Sequence, residues 1–261
     1  MTMAPADLRP TKLGDAAGRN LHERIANTLG ERIVGGLHPQ GRALPTEIDL
    51  CASLSVSRSA LREAFKLLAA KRLIISRQKV GTLVRPRGEW NMLDPEVLAW
   101  HLRAAPTDEF VTGLFEVRKI IEPSAAALAA ERRSPETLTR IEAALADMFR
   151  CQDGAGDLTA ADLRFHKAIL DATGNYFLAS FGAVIESSLV ASFRLSWRSG
   201  RHTPEYSMRQ HQGVLAAIRD RLPAEAHAVM TQLLRSAMED VRESLLRRQR
   251  ETAVAGAGAA G

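Results

Sequence analysis

A single β-rich segment interrupts a chain whose apolar residues otherwise follow helical spacing. The letters LIISR at 73–77 and TLVRP at 82–86 favour strands, and QKVG between them is typical of a turn. Two short strands joined in this way predict a hairpin. Because the remaining apolar stretches are rich in Ala, Leu, Arg and Glu, the sequence predicts a mainly α-helical fold that carries one small hairpin.

Three helices are predicted ahead of this hairpin. An apolar stripe from 21 to 33 indicates the first, and a short helix begins near Thr46. A longer helix follows in SRSALREAFKLLAAK, where Ser57 can cap the first turn. Helices, turn and hairpin together predict a winged helix-turn-helix over 21–86. The segment 1–20 lacks periodicity and is expected to be a flexible arm.

Positive charge is concentrated in this first part of the chain. Residues 1–86 hold 14 Lys and Arg against 7 Asp and Glu, whereas residues 87–261 hold 21 against 23. The net charge of +5 is therefore an N-terminal property. This asymmetry indicates an anion-binding module followed by a nearly neutral module with a different task.

Composition places the chain among proteins that bury a core. Its 261 residues are 46% hydrophobic and 25% charged, and no uninterrupted apolar run reaches the about 18 residues of a spanning helix. The N-terminus shows no apolar signal-peptide core, so we expect a soluble cytoplasmic protein. Cys51 and Cys151 lie a hundred residues apart, without metal or redox spacing, and are expected to be small core residues.

The third helix and the hairpin tip carry the side chains that DNA recognition needs. Short hydroxyls and guanidiniums at the start of an inserted helix can bind phosphates and base edges. A Ser- and Arg-rich helix start is, taken alone, more often a cap with solvated charges. The ordered helices, basic wing and local charge favour DNA binding instead. The candidate DNA-binding residues are Ser57, Arg58, Ser59, Arg62, Arg77, Lys79 and Gly81.

The second module is predicted to be all helical. After a linker at 87–94, Asp94 followed by Pro95 is a strong helix start. Helical spacing then continues almost to residue 250, which predicts a bundle over 95–250, and the Ala- and Gly-rich tail 251–261 is expected to be disordered.

Four polar residues fall within apolar stretches of that bundle. Asp162 and His166 lie four residues apart and share one helix face, where they could hold a divalent cation or a polar ligand. His211 and Arg118 also have apolar neighbours, and a buried Arg needs an anion. The alternatives are an ordinary Asp–His surface pair, a core histidine, and an Arg118 that pairs with Glu122 or Glu116 on its own helix.

The first module resembles the DNA-binding domain of GntR-type bacterial transcription regulators. Its stretch GRALPTEIDLCASLSVSRSALREAFKLLAAKRLIISRQKVGTLV follows the Leu-Pro-x-Glu-x-x-Leu and Val-Ser-Arg-x-x-x-Arg-Glu-Ala pattern of that family. Ile48 departs from the Arg that many relatives carry there. The matching residues are Leu44, Pro45, Glu47, Leu50, Val56, Ser57, Arg58, Arg62, Glu63, Ala64 and Gly81.

The second module resembles the FCD effector-binding domain of the FadR-like branch, through EVRKIIEPSAAALAAERR, ADLRFHKAIL, ATGNYFL and RQHQGVLAAI. The resemblance implies a metal held by one Asp and three His, which assists a carboxylate effector. Asp162, His166 and His211 match three ligands, whereas Leu233 occupies the fourth place and His227 would face elsewhere. Either three ligands and the effector hold a metal such as zinc, or the polar residues bind the effector directly.

The linker WNMLDPEVLAW is similar to that of regulators of sugar-acid catabolism. The combined resemblance implies a homodimeric repressor that binds operator DNA and is released by a sugar acid or related carboxylate. The rival hypothesis is a metal-dependent enzyme that uses Asp162, His166 and His211. The candidate effector-binding residues are Arg118, Asp162, His166, Trp197, Ser207 and His211.

Overall fold

A computed structural model describes residues 21–104, 106–152, 156–196 and 203–258. The chain divides into two compact units, Met1–Ala105 and Pro106–Gly261. The first contains helices and a hairpin, and the second contains helices in all its described elements. The mainly α-helical fold class predicted from the sequence is therefore confirmed. The predicted arm at 1–20 lies outside the described residues.

The first unit is a winged helix-turn-helix. The two strands pair antiparallel, with Ile74 opposite Val84 and Arg77 opposite Gly81. A left-handed Ser55 (φ +55°) ends the second helix and turns the chain into the third. The elements are α1 Leu21–Val34, α2 Glu47–Leu54, α3 Arg58–Ala70, β1 Ile74–Arg77, β2 Gly81–Val84 and α4 Pro95–Arg103.

Apolar residues from all these elements form one core. Ile25, Leu29 and Ile33 of the stripe predicted on α1 are buried there, whereas Leu21 at its start is exposed. Leu61 and Leu68 of α3 belong to the same core. Cys51 is a free thiol at the edge of this core, partly rather than fully buried.

Helix α4 belongs to the first unit, so the predicted bundle over 95–250 begins too early. Asp94 caps α4 as expected, and Pro95 occupies its first position. Trp100 is fully buried, and the absence of a side chain at Gly30 of α1 leaves room for its indole ring. The indole N–H donates to Asn27 Oδ1 at 2.6 Å. Large-area aromatic burial of this kind attaches α4 to the DNA-binding helices.

The predicted linker at 87–94 is also packed. Residues Arg87–Glu89 form a short 3₁₀ helix, and Trp90 is buried in the same core. Lys71 at the end of α3 forms ion pairs with Asp94 at 2.9 Å and Glu96 at 2.5 Å. These contacts make the segment part of the first unit.

The second unit is a helical bundle. Helix α5 packs along α11, α6 packs along α7, and α10 packs against α11 and α6. Its core is built of Ala, Leu, Ile and Met side chains, with Phe165 at 0% exposure. The helices are α5 Asp108–Arg132, α6 Pro135–Gln152, α7 Leu158–Ala172, α8 Tyr176–Ala179, α9 Gly182–Ser196, α10 Pro204–Arg219 and α11 Pro223–Gly258.

The C-terminal end of this unit differs from the sequence expectation. Helix α11 continues to Gly258, whereas the sequence predicted a disordered tail from residue 251. Glu251 and the Ala residues there have high helix propensity and extend a helix already formed, which is easier than starting a new one.

One stretch of the described residues, Tyr176–Phe193, is long and apolar enough to cross a membrane by length and composition alone. Its larger part is α9, which packs against α5, α7 and α11. Ile185 and Leu189 are buried in that packing. The α9 part of the stretch therefore packs within the bundle, whereas Tyr176 and Phe177 of α8 are exposed.

Candidate functional site: a DNA-reading surface and a buried polar cluster

The start of α3 presents exposed polar side chains. Ser57 is the N-cap, and its Oγ accepts a hydrogen bond from the backbone N–H of Ala60 at 3.2 Å. The hydroxyls of Ser57 and Ser59 lie 3.0 Å apart, and Arg58 beside them is exposed. In a helix-turn-helix protein, these first residues of the second motif helix are the ones that reach base edges.

Arg62 is tied to the preceding helix. Its Nε lies 3.1 Å from Glu47 Oε2, and both side chains are exposed to solvent. Ile48, next to Glu47, is 64% exposed. An aliphatic side chain is thus displayed where many relatives carry an Arg, and it can contact DNA only through apolar groups such as a thymine methyl.

The hairpin tip is a basic, exposed turn. Arg77, Lys79 and Gly81 are all exposed. Gly81 has a backbone φ of +97°, which residues other than glycine rarely adopt. Lys79 also lies in the left-handed region, at φ +63°. The predicted wing residues therefore share one tip, and the predicted DNA-binding residues lie on exposed parts of the first unit.

The predicted metal ligands meet inside the second unit. Asp162 Oδ1 lies 3.2 Å from His166 Nε2 on the same helix and 3.1 Å from His211 Nε2 on α10. One potential ligand atom from each residue lies within 4.8 Å of the others, and all three residues are buried. The helical spacing of Asp162 and His166 predicted their proximity, and the fold brings His211 to them.

In both histidine rings, the nitrogen that does not face Asp162 has a partner of its own. His166 Nδ1 pairs with a carboxylate oxygen of Glu122, and His211 Nδ1 lies 2.8 Å from the carbonyl oxygen of Ser207. Each ring therefore has its Nδ1 occupied and its Nε2 directed toward Asp162. This is the arrangement by which carboxylates and carbonyls orient metal-binding imidazoles.

Arg118 is the fourth member of the buried cluster, and its charge is already paired. It is 2% exposed and forms an ion pair with Glu122, four residues further along α5. Its Nη1 donates to Ser188 Oγ at 3.3 Å, and its Nη2 lies 3.4 Å from His166 Nε2. Of the alternatives open in the sequence, pairing with Glu122 is the one that the structure contains.

Mutual pairing shifts three pKa values in this cluster. Burial raises the pKa of Glu122, but Arg118 and His166 outweigh it and lower the pKa to about 2. Burial lowers the pKa of His166, but the Glu122 and Asp162 carboxylates outweigh it and raise the pKa to about 9. Hydrogen bonds from His166 and His211 hold the pKa of Asp162 well below its usual range despite burial. Glu122, Asp162 and His166 are therefore all charged at neutral pH.

A cavity of about 120 Å³ lies against this cluster. Leu233, at the place of the family's fourth ligand, lines it, whereas His227 is exposed and does not. Trp197 lies outside the described residues. The lining residues are Arg118, Asp162, His166, Leu189, Ser192, Phe193, Thr203, Pro204, Tyr206, Ser207, Gln210, His211, Leu233, Leu234, Ser236, Ala237 and Asp240.

Three residues at the cluster and cavity carry little signal in the sequence: Glu122, Gln210 and Ser236. Glu122 was considered only as a partner of Arg118, and Gln210 and Ser236 were not considered. Helical spacing offered a signal for Gln210, because it lies three residues after Ser207 and beside His211 on α10. The side-chain contacts of Glu122 with His166 join α5 to α7, and such contacts are not visible in local spacing.

Comparison with known proteins decides the family. The family model described as "Bacterial regulatory proteins, gntR family" matches residues 21–84, and the model described as "FCD domain" matches residues 113–236. A galactonate operon transcriptional repressor from Escherichia coli is 36% identical over 200 residues, which cover 77% of this chain and 87% of that protein. The chain belongs to the gntR family of bacterial regulatory proteins.

Other relatives agree with this assignment. The HTH-type transcriptional regulator LutR of Bacillus subtilis is 33% identical over 211 residues, which cover 79% of this chain and 94% of that protein. The solved structure of Lar, which controls the expression of the Listeria monocytogenes agr system, has a TM-score of 0.60 at 17% identity, over 87% of this chain and 99% of that one. It supports the fold. The family and these relatives are transcription regulators, so the enzyme alternative is not supported.

Proposed function

We propose that this gntR-family regulator is a cytoplasmic, homodimeric repressor of sugar-acid catabolism genes. It binds operator DNA through the first unit, and an aldonate or related carboxylate in the second unit releases it. The observation that supports this most directly is the buried polar cluster of Asp162, His166 and His211, which lines one cavity. The similarity to a galactonate operon repressor supports the class of effector.

The proposed DNA contacts come from two exposed parts of the first unit. Ser57, Arg58, Ser59 and Arg62 would enter the major groove with the start of α3, as in other helix-turn-helix proteins. The wing residues Arg77, Lys79 and Gly81 would bind the neighbouring backbone or minor groove. A homodimer would place two such surfaces on a two-fold symmetric operator.

We propose that Asp162, His166 and His211 hold a divalent metal such as zinc. The donor set of one carboxylate and two imidazoles suits zinc. With Nδ1 of each ring paired elsewhere, both Nε2 atoms converge on Asp162 Oδ1, where a metal would replace their contacts with that oxygen. The metal would supply a positive charge with an exchangeable position. Leu233 contributes no ligand, so water or the effector would complete the shell.

The charge of the cluster explains why a carboxylate would need that metal. The charges of Arg118 and protonated His166 are cancelled by those of Glu122 and Asp162. Arg118 alone is therefore a weak anchor for an anionic effector. Binding of a divalent cation requires the neutral form of His166, and the exchange of one proton for two charges leaves the cluster cationic. Arg118 and Ser207 would then bind the effector's oxygens as secondary contacts.

Metal analysis and effector titration test this proposal. Protein purified without chelator is expected to contain about one zinc per chain, and chelation is expected to weaken aldonate binding measured by calorimetry, because metal and carboxylate affinities are coupled. Full aldonate affinity in metal-free protein would contradict the metal assignment and favour direct binding by the polar residues.

The variant Leu233→His tests the coordination position that Leu233 leaves without a protein ligand. A fourth ligand is expected to tighten zinc binding and to weaken the effector response by occupying the exchangeable site. Leu233→Met, which keeps the volume without adding a strong zinc ligand, is the control.

A further inference from the structure

Gln210 joins the two helices that face each other across the cavity. Its Nε2 donates to the Tyr206 hydroxyl at 3.2 Å on its own helix and to Ser236 Oγ at 3.3 Å on α11. Gln210, Tyr206 and Ser236 all line the cavity. They form a polar group that is separate from the buried charges of Arg118 and Glu122.

The amide oxygen of Gln210 has no hydrogen-bond partner among the residues that the structure describes, and it is buried. A buried acceptor without a donor is unfavourable, so such groups in native proteins call for an explanation. An amide oxygen can accept a hydrogen bond but cannot donate one. A carboxylate cannot satisfy it, whereas a ligand hydroxyl can.

The location of Gln210 relates it to the proposed metal ligands. His211 is its neighbour on α10, and Ser207 lies one turn before both. A ligand whose carboxylate is held at Asp162, His166 and His211 therefore extends its carbon chain along a cavity that Gln210 also lines. Hydroxyl groups further along that chain are the chemical groups that match the unpaired oxygen.

We propose that Gln210 determines the specificity of the cavity for polyhydroxylated carboxylates, by accepting a hydrogen bond from a ligand hydroxyl through its amide oxygen. This inference rests on the proposed carboxylate site and adds the residue that recognises the ligand's hydroxyl groups. Sites built to hydrogen-bond a hydroxyl reject analogues that lack it, because the protein group is then left unpaired. Simple fatty acids would accordingly bind less tightly than aldonates of the same length.

The test compares two six-carbon carboxylates on the full-length, zinc-loaded protein. Galactonate and gluconate carry hydroxyls along the chain, and hexanoate carries none. Calorimetry would measure the affinity of each for wild type, for Gln210→Met and for Gln212→Met. Gln212 is exposed on the same helix and does not line the cavity, so it provides the matched control.

Wild type and Gln212→Met are expected to prefer at least one of the aldonates over hexanoate. Gln210→Met is expected to lose roughly 10- to 100-fold in aldonate affinity while it retains its zinc and hexanoate affinities, which also shows that the variant is folded. An unchanged aldonate preference in Gln210→Met would overturn the assignment. Equal or tighter hexanoate binding by wild type would overturn hydroxyl recognition and leave the carboxylate site standing. Binding of no carboxylate to zinc-loaded wild type would overturn both proposals.

Discussion

Four ionisable side chains neutralise one another inside the second unit, and their arrangement decides which chemistry remains available. Glu122 lies between Arg118 and His166, and Asp162 lies between the two histidines. The sequence predicted the Asp162 and His166 pair because four residues along a helix define a common face. The same spacing favours Glu122, four residues after Arg118, over Glu116, two residues before it, and the structure contains the Glu122 pair.

The raised pKa of His166 predicts how the metal-free protein depends on pH. The folded-state pKa of about 9 exceeds the ordinary value of 6.5, so the folded state binds the proton more tightly than the unfolded state does. This contribution to stability is fully present below pH 6.5 and is lost as the pH rises through about 9. We expect the free energy of unfolding of chelated protein, measured in urea, to fall over that range.

His166→Gln is the comparison for this measurement, because it removes the titrating group and keeps a polar side chain. Its unfolding free energy is expected to change less between pH 6.5 and 9 than that of wild type. Parallel profiles for the two proteins would show that His166 is not the group responsible.

The exposed arginines of α3 predict a loss of DNA affinity without a loss of stability. Arg58→Ala and Arg62→Ala are each expected to weaken operator binding by about 1–3 kcal/mol, as measured by fluorescence anisotropy with labelled DNA. Melting temperatures are expected to stay nearly unchanged, since neither side chain is buried. Arg140→Ala, an exposed arginine of the second unit, is the control. Wild-type DNA affinity in either α3 variant would remove that residue from the interface.

At the scale of elements, local patterns predicted most helices, the hairpin and the turn between α2 and α3. They did so because apolar spacing, caps and turn residues act over a few positions, as at Thr46 and Ser57. The assignment of α4 to a unit was wrong because it depends on a contact between residues 30 and 100. No local pattern reveals that a glycine on one helix leaves room for an indole on another.

The close approach of Gly30 to Trp100 predicts that even a methyl group at position 30 destabilises the protein. A Cβ at Gly30 would lie 2.5 Å from the Trp100 ring, so Gly30→Ala is expected to destabilise the protein by about 1–3 kcal/mol despite the higher helix propensity of Ala. Gly113 in α5 has open space around its Cβ position, and Gly113→Ala is expected to stabilise by about 0.5–1 kcal/mol. Urea unfolding measures both, and a Gly30→Ala variant as stable as Gly113→Ala would contradict close packing of α4 on α1.

At the scale of the whole molecule, the chain joins a DNA-binding unit to an effector-binding unit. An effector can change DNA affinity only if it binds the DNA-free and DNA-bound forms with different affinities. Linkage then requires operator DNA to weaken effector binding by the same factor. Under the proposed function, binding of the metal, the carboxylate and the operator is therefore linked in one set of coupled equilibria.

Operator release is the measurement that tests this account most directly. Labelled DNA from upstream of the protein's own gene would be bound by zinc-loaded protein, by chelated protein and by Asp162→Asn, and each complex would be titrated with galactonate and gluconate. We predict that at least one of these aldonates releases DNA from zinc-loaded wild type, with much weaker release from the chelated protein and from the variant. Equal release from all three proteins, or undiminished DNA binding by zinc-loaded wild type at saturating aldonate, would contradict the account.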